Sequence, residues 1–371
     1  MNSHKPFHLS RRSFVKHAAL GTAALGLGPS IFLPGKAKAE TLEEGFIYHP
    51  TMNPLRVVTL KDPAMTTEDN PTAPWNKQDE LVDVKVVGEN IDRLACTLSE
   101  EKEPKQAWKK LLLKPAGKAW NEIVVAIKTN NIALQHTKSG VMAKVCRVLT
   151  QELGVKASNI FIYDACHGGD MVQKTPFKGL PEGCNIASTW GGFAVAVPVG
   201  KPWKDGEQKV ECVESLAKGK VDILINIALC KGHSSSFGTL TMCMKNHMGT
   251  FNPRPHAHSD GATDFLFAIN RSPLILGDLD ETKKRIALPR QQLCLVDALW
   301  ASEKGPQHPS SVQPNRLFMG TFGPAVDYLA AVEFREKEMG WQINRSVVDR
   351  FLTDFGFNPS DLLNKGKLIE A

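Results

Sequence analysis

The segment Val221–Ala228 is an almost unbroken apolar run. A strand that is apolar along most of its length is typical of a parallel sheet whose two faces are both covered by helices. A sheet with one face in water would instead alternate apolar and polar residues. This segment therefore predicts a layered α/β protein.

Other short apolar strands alternate along the chain with segments of helical spacing. The predicted strands are Glu122–Ile127, Asn159–Tyr163 and Leu293–Val296. The predicted helices are Thr137–Leu153, Thr239–Met248, Gly261–Ile269, Pro324–Lys337 and Arg345–Phe355. This alternation predicts an α/β fold with a mostly parallel sheet flanked by helices, preceded by an irregular N-terminal extension.

The extension covers residues 40–120. It is rich in Pro, Asn and Thr between Pro50 and Pro74. We expect strands at Leu55–Leu60 and Leu81–Val87 and a short helix at Pro104–Leu113. The chain then divides into residues 1–39, an irregular N-terminal segment at 40–120 and an α/β core domain at 121–371.

Residues 1–39 have the pattern of an export signal. The signal begins with Ser10-Arg11-Arg12-Ser13-Phe14-Val15-Lys16, and the apolar run Ala18–Leu33 follows. A cleavage site of small residues, Ala37-Lys38-Ala39, comes after that run. Paired arginines before such a run are typical of a twin-arginine signal peptide. The run is shorter than the ~20 residues of a membrane span, and so is every later apolar run. We therefore predict the twin-arginine translocase as a partner, a periplasmic location and no stable membrane span; the alternative is an uncleaved anchor.

The charge balance argues against nucleic acid as a partner. Residues 1–39 hold six of the 45 basic residues and no acidic residue, so the remaining 39 basic residues balance the 39 acidic ones. A neutral mature chain gives no electrostatic reason to bind nucleic acid or an anionic membrane.

The eight cysteines include no C-x-x-C pair. A ferredoxin run and a zinc-ribbon pattern are therefore both missing from the sequence. An even number of cysteines in a periplasmic protein is compatible with disulfides. Since folding before export takes place in a reducing cytoplasm, we expect most of them to be small buried apolar residues.

Four predicted strands end in polar residues. These ends are Lys128–Asn131, Asp164–Asp170, Cys230–Ser236 and Asp297. Since ligands of open parallel sheets bind beyond the carboxyl ends of the strands, we expect a site at this edge. Lys231 and His233 lie in a glycine-containing turn that is suited to an anion. The alternative is an ordinary strand-to-helix loop in which a serine caps the helix.

Two groups of residues have metal-ligand spacing. Cys243 and His247 are four residues apart on a predicted helix, and His256-Ala257-His258 is followed by Asp260. Both patterns can place two ligands on one side of the backbone. His233, Cys230 or His167 would complete such a shell. The alternatives are a packed Cys243 with a solvated His247, and a polar surface loop at His256–Asp260.

Four motifs, in this order, resemble the family catalogued as domain of unknown function 362, over about residues 120 to 340. They are Ile127-Lys128-Thr129-Asn130, Lys231-Gly232-His233 with Gly238, Thr241 and Lys245–Gly249, Asp297 with Glu303–Pro306, and Gly323–Asp327. The resemblance implies an α/β domain and a loose association with iron–sulfur or redox chemistry. Members are often fused to ferredoxin-like modules, and the present sequence carries no such cysteine run. It also departs from the family at Thr129, where proline is usual, and at Phe322-Gly323, where an Asp-bearing turn is usual.

Two functions follow as hypotheses. The first is a metal- or cofactor-associated periplasmic enzyme acting on a small anionic substrate, with Lys128 and Lys231 holding the anion and His233 as acid, base or metal ligand. The second is a non-catalytic ligand-binding or accessory protein for a periplasmic redox partner, since no G-x-S-x-G nucleophile is present. The cofactor would be a metal ion or an iron–sulfur cluster. A further alternative is that Lys245, Asn246 and Asp327 are structural.

These hypotheses assign roles to specific residues. The predicted catalytic residues are His233, Lys231 and Asp297. The predicted ligand-binding residues are Lys128, Asn130, Lys245, Asn246, Glu303 and Asp327. The predicted metal ligands are His233, His256, His258, Asp260, Cys243 and His247.

Overall fold

The computed structural model describes residues 47–164, 175–187, 192–205, 208–252, 261–305, 307–365 and 368–371. The predicted signal peptide lies outside these residues. All of these described residues belong to one compact unit. Among the described residues, we find no helix with the length and apolar character that crossing a membrane requires.

Strands and helices alternate along most of the chain. The strands are β1 (Val57–Lys61), β2 (Val125–Lys128), β3 (Ile160–Tyr163), β4 (Asn185–Ala187), β5 (Phe193–Val199), β6 (Gln208–Val213), β7 (Ile223–Leu229), β8 (Lys231–Gly232), β9 (Leu240–Thr241), β10 (Gly277–Leu279), β11 (Ile286–Pro289), β12 (Gln291–Ala298), β13 (Arg316–Gly320) and β14 (Leu368–Glu370). The α-helices are α1 (Trp75–Leu81), α2 (Val84–Ser99), α3 (Pro104–Leu111), α4 (Ser139–Arg147), α5 (Glu214–Ala217), α6 (Cys243–Asn246), α7 (Ala262–Asn270), α8 (Pro273–Leu276), α9 (Gly323–Leu329), α10 (Arg345–Thr353) and α11 (Pro359–Lys365). Helices α4 and α9 continue as π-helical segments at Val148–Glu152 and Ala330–Glu338.

Eight of the described strands form one central sheet. Their order is β14-β1-β13-β12-β7-β2-β3-β4. Strand β13 runs antiparallel to both of its neighbours, and the other pairs are parallel. The predicted fold class, a mostly parallel sheet flanked by helices, is therefore confirmed.

The central strand β7 is buried on both faces, as its apolar sequence predicts. Its isoleucines Ile223, Ile225 and Ile227 pack into the apolar cluster that contains much of α2 and α4. Leu224 and Ala228 point to the other face and pack into the cluster that contains α7 and α9. Because side chains alternate along a strand, the polar Asn226 lies on this second face.

The N-terminal segment belongs to the same sheet and core. Strand β1 pairs with β13 and β14, near the predicted strand Leu55–Leu60. The predicted strand Leu81–Val87 is wrong, because α2 begins within it. The carboxylate of Asp83 accepts hydrogen bonds from the backbone N–H groups of Lys85 and Val86, both at 3.0 Å, and so caps α2.

The predicted helix Thr239–Met248 is shorter in the structure. Its first residues form β9, which pairs antiparallel with β8, and only Cys243–Asn246 are α-helical. The strand pairing holds the chain extended up to Thr241. Lys231 of β8 lies ten residues before its partner Thr241. The local periodicity of the sequence therefore gives no sign that strand pairing competes with helix formation here.

Candidate functional site

Polar residues gather where the central parallel strands end. Lys128 is the last residue of β2, Asp164 follows β3, and Lys231 opens β8 directly beyond β7. All three side chains are almost fully buried, with at most 1% of their surface exposed. Ionised groups at that depth need partners, because burial removes the water that would otherwise solvate them.

The ammonium group of Lys128 has three partners. It donates to a carboxylate oxygen of Asp164 at 2.7 Å, to the backbone oxygen of Thr129 at 2.6 Å and to the amide oxygen of Asn246 at 2.9 Å. The second carboxylate oxygen of Asp164 accepts the backbone N–H of Asn131 at 2.7 Å. An ammonium group has three protons, so these contacts use the whole donor capacity of Lys128.

The ammonium group of Lys231 is satisfied in the same way. Its acceptors are the side-chain oxygen of Asn130 at 2.8 Å and the backbone oxygens of Ile132 and Gln135 at 3.0 and 2.8 Å. The loop after β2 therefore wraps around this lysine. Neither Lys128 nor Lys231 has a proton left for a ligand, so each acts on its surroundings mainly through its positive charge.

Two asparagines join the buried lysines into one network. Asn130 accepts from Lys231 and donates from its amide nitrogen to the oxygen of Asn246 at 3.3 Å. Asn246 in turn donates to the side-chain oxygen of Asn226 at 2.8 Å. Asn226 was not among the predicted site residues, although a single polar residue inside an otherwise apolar strand is a visible sign of such a role.

Close backbone packing at two glycines shapes the site. A Cβ atom on Gly249 would lie 2.6 Å from a carboxylate oxygen of Asp164 and 2.7 Å from Cε of Lys128. A Cβ atom on Gly232 would lie 1.8 Å from the backbone oxygen of Glu303. Any larger residue at these positions would displace the lysine, the carboxylate or the loop. The Glu303 side chain itself is exposed, so its contribution in the structure is its backbone.

Lys245 differs from Lys128 and Lys231. Its side chain is half-buried, and its Nζ atom lies 4.7 Å from the centroid of the Phe237 ring. Within the part of the chain that the structure describes, its ammonium group forms no hydrogen bond and no ion pair. Burial, and secondly the positive charge of Lys128, lower the pKa of Lys245 to about 8.

Thr241 adds a second polar atom with unused capacity. Its side chain is 5% exposed, and its hydroxyl has no hydrogen-bond partner among the described residues. Thr241 lies directly opposite Lys231 in the β8–β9 pair, so the two side chains leave the same face. A buried hydroxyl without a partner is rare, since leaving it unpaired costs roughly 1–3 kcal/mol.

His233 contacts the same aromatic ring as Lys245. Its imidazole meets the Phe237 ring edge-on, with the centroids 4.7 Å apart. Its Nδ1 atom accepts the backbone N–H of Ser234 at 2.8 Å. The proton of the neutral ring therefore lies on Nε2.

The predicted acids Asp297 and Asp327 hold backbone groups. Asp297 accepts the N–H groups of Lys138 and Leu299 at 2.9 and 3.3 Å. Asp327 accepts the N–H groups of Cys243 and Met244, both at 2.8 Å, and so caps α6 from a distant helix. Burial raises the pKa of Asp297, and it raises that of Asp327 to about 7.

His247 is fully buried and hydrogen-bonded at both ring nitrogens. Nε2 lies 2.6 Å from the side-chain oxygen of Gln291, and Nδ1 lies 3.1 Å from the hydroxyl of Thr250. Burial lowers the pKa of His247 to about 3, so the ring is neutral. Cys243 packs beside Cys294, and burial raises its pKa well above that of a free thiol.

No group of three or more His, Cys, Asp or Glu side chains in the described ranges lies in position to hold a metal ion. Since an iron–sulfur cluster is held by four cysteine thiolates or their equivalents, the described residues do not fit one. The predicted ligands His256, His258 and Asp260 lie outside the described residues, as do Cys166 and His167.

A buried arginine that the sequence analysis missed anchors the loops of this edge. Arg335 donates to the backbone oxygens of Ser302 at 3.0 Å, Glu303 at 3.2 Å and Thr239 at 3.4 Å. It comes from the π-helical segment after α9 and stacks on Trp341. Nothing in the local sequence distinguishes it from Lys337, the exposed basic residue of the same segment.

The sequence matches a known family over this region. The sequence model of a family described as "Domain of unknown function (DUF362)" matches residues 125–332, more than half of the chain. The match begins with β2 and includes Lys128, Lys231, Lys245 and Asp327. No curated protein matches the sequence.

Proposed function

The chain belongs to the family of domain of unknown function 362, and we propose that it binds a small anionic ligand at the carboxyl edge of the sheet, with Lys245 as the direct contact. One observation carries the proposal. Among the described residues, the half-buried ammonium group of Lys245 has no hydrogen-bond acceptor and forms no direct ion pair. A cation held away from bulk water without a partner is a ready site for an anion.

The charges around Lys245 support an anion over a cation. Lys128 is close enough for its positive charge to lower the pKa of Lys245. Asp164 is paired with Lys128, and the other buried acids, Asp297 and Asp327, are engaged with backbone N–H groups. The site therefore has an excess of positive charge that a carboxylate or phosphate would balance.

Thr241 supplies a second donor. Its buried hydroxyl has no partner among the described residues and faces the same side as Lys231. We assign the Thr241 hydroxyl and the Lys245 ammonium group as the two donors to one anion, because an anion with two oxygen atoms can accept from both. We expect Lys128 and Lys231 to strengthen binding through their charge and to position the loop after β2.

His233 favours an enzyme over a simple binding protein. Its ring contacts Phe237, the same side chain that Lys245 covers. An imidazole is the usual general acid or base near neutral pH, and a lysine with a lowered pKa can also exchange a proton there. The non-catalytic ligand-binding or accessory role for a redox partner remains the alternative.

Export by the twin-arginine pathway and a periplasmic location belong to the same proposal. They rest on Arg11 and Arg12 and the apolar run that follows them. Changing both arginines to lysine should leave the protein in the cytoplasm with its signal uncleaved. Export of this variant at the normal rate, measured in cell fractions, would contradict the prediction.

Association with a metal ion is a separate prediction that rests on His256, His258 and Asp260, whereas association with an iron–sulfur cluster rests on the family resemblance. Elemental analysis and an absorption spectrum of natively exported protein, purified without chelator, test it directly. Stoichiometric metal that is lost in the double variant His256→Ala with His258→Ala would support it. A well-folded protein free of metal would contradict the predicted metal association and would leave the anion-site proposal unaffected.

The anion site is tested by thermal-shift screening of the full chain with inorganic phosphate, acetate, lactate, succinate and pyruvate. We expect at least one anion to raise the melting temperature of the wild type but not of Lys245→Met. Lys204→Met is the matched control, because Lys204 also lies over an aromatic ring but is exposed. Equal shifts in all three proteins would contradict the proposal.

A further inference from the structure

We propose that Lys245 forms an imine with the carbonyl carbon of a 2-oxo carboxylate. This inference rests on the proposed anion site and names its substrate class. It assigns Lys245 a covalent role, beyond holding the anion through its charge.

The surroundings of the Lys245 nitrogen suit a nucleophile. Its Nζ atom lies against the apolar Phe237 ring, and no carboxylate or carbonyl of the described residues holds its protons. Lys128 and Lys231, by contrast, direct all three protons to protein acceptors within 3.0 Å. Of these three lysines, Lys245 is therefore the one whose amine can lose a proton without breaking a buried hydrogen bond.

The partial exposure of the Lys245 side chain and the ionisation of its amine both agree with this role. The side chain of Lys245 is half-buried, whereas Lys128 and Lys231 are each 1% exposed. A lysine in an apolar setting beside a second ammonium group is a known way to make an amine nucleophilic at neutral pH. With its pKa lowered to about 8, Lys245 holds roughly 10²-fold more neutral amine at neutral pH than an exposed lysine does.

The carboxylate of the substrate also has a place. We assign this carboxylate to the buried Thr241 hydroxyl, which lies four residues before Lys245 in the sequence and has no hydrogen-bond partner among the described residues. The charges of Lys128 and Lys231 stabilise that carboxylate. A carbonyl next to a carboxylate therefore matches the site better than a neutral aldehyde or ketone does.

The step balances without an oxidant or reductant. The lone pair of neutral Lys245 attacks the carbonyl carbon, a C–N bond forms and the carbonyl π electrons move to oxygen. A proton passes from nitrogen to that oxygen, and a second proton lets it leave as water while C=N forms. The sum is ammonium plus carbonyl giving iminium plus water. His233, on the same aromatic ring, is the group to which we assign these proton transfers.

Reductive trapping tests the inference. The full chain is incubated with pyruvate and cyanoborohydride at neutral pH, and the adduct is located by mass spectrometry of the intact protein and of its peptides. We expect one reduced adduct on Lys245 that forms at least ~10-fold faster than any adduct on the exposed Lys204. Lys245→Arg, which keeps the positive charge and the cation–π contact, should lose the adduct, and Lys204→Met should keep it.

A second measurement separates this inference from the proposed function. Lactate has the carboxylate but no carbonyl, so it should bind in the thermal-shift assay, give no adduct and slow trapping by pyruvate. Lactate binding without any pyruvate adduct on Lys245 overturns the imine and leaves the anion site standing. Absence of the adduct, together with no thermal shift from any anion of the panel, overturns the anion site as well. Because wild-type peptide mapping identifies the modified lysine, the result does not depend on any variant folding.

Discussion

The Nζ atom of Lys245 lies 4.7 Å from the centroid of the Phe237 ring. A cation–π contact stabilises the charge but accepts no conventional hydrogen bond, so the ammonium group keeps its donors. The nearby Lys128 has no such freedom, because it is bound to Asp164, Thr129 and Asn246. This difference predicts opposite consequences when each lysine is removed.

Lys128→Met should strongly destabilise the protein. The substitution leaves the carboxylate of Asp164 buried, with the backbone N–H of Asn131 still donating to it but without the Lys128 ammonium group. Breaking a buried ion pair on one side costs about 3–5 kcal/mol. Urea unfolding measures the loss, and the exposed Lys204→Met should change stability by less than about 0.5 kcal/mol. A Lys128→Met protein as stable as the control would show that the pair is not structural.

Lys245→Met should leave the protein at least as stable as the wild type at neutral pH. The pKa of Lys245 is lowered to about 8 from 10.5, so between these values the unfolded chain holds more protons than the folded one. The free energy of unfolding contributed by this group therefore rises with pH across that window. Urea unfolding at about pH 7 and pH 10.5 should show the wild type gaining stability relative to Lys245→Met. A pH-independent difference would contradict the lowered pKa.

Asp327→Ala should destabilise the protein by roughly 2 kcal/mol, because it leaves the buried N–H groups of Cys243 and Met244 without their cap. Asp327→Asn should cost less, since its amide oxygen still accepts one of the two bonds.

The pH dependence of Asp327 has the opposite sign to that of Lys245. Its pKa is raised to about 7 from 3.8, so the folded state binds the extra proton between these values. The free energy of unfolding from this group therefore falls as pH rises from about 4 to 7. Asp327→Asn should remove that slope, and an unchanged slope in chemical unfolding would contradict the assignment.

Two matched glycine substitutions test the packing behind the site. Gly232→Ala should disrupt the loop at Glu303, since its Cβ atom would lie 1.8 Å from a backbone oxygen. Gly88→Ala lies within α2, where the new Cβ atom would meet only Cδ of Lys144 at 3.7 Å, and should stabilise the protein by about 0.5–1 kcal/mol. Thermal melts of the two variants should therefore shift in opposite directions. Equal shifts would contradict the close approach at Gly232.

The sequence predicted the architecture well because the main signals are local. The apolar segment Val221–Ala228 corresponds to β7, which is buried on both faces. The predicted helix at Thr239–Met248 was wrong in extent because its structure depends on distant partners. These are β8, which pairs with β9, and Asp327, which caps α6.

Only part of the candidate site could be predicted from the sequence. The ends of parallel strands meet at one edge, which is why Lys128, Asp164 and Lys231 were expected to lie together. The sequence does not reveal which lysine retains unused donors, since the acceptors of Lys231 include two backbone oxygens of a loop. Arg335 was missed because its role depends on contacts far along the chain. Asn226 is visible as a polar residue in an apolar strand, but its partner Asn246 is not evident from the local sequence.

The most direct test of the anion site is a calorimetric titration of wild type and Lys245→Met with lactate and with inorganic phosphate. At about pH 8, where Lys245 is half protonated, binding of an anion should draw about half a proton into the site. Titrations in buffers of different ionisation enthalpy measure this uptake. We expect wild type to bind at least ~10-fold more tightly than Lys245→Met and to take up the proton, since a charge-assisted hydrogen bond is lost in the variant. Equal affinity in the two proteins, with no proton uptake in either, would contradict the role assigned to Lys245.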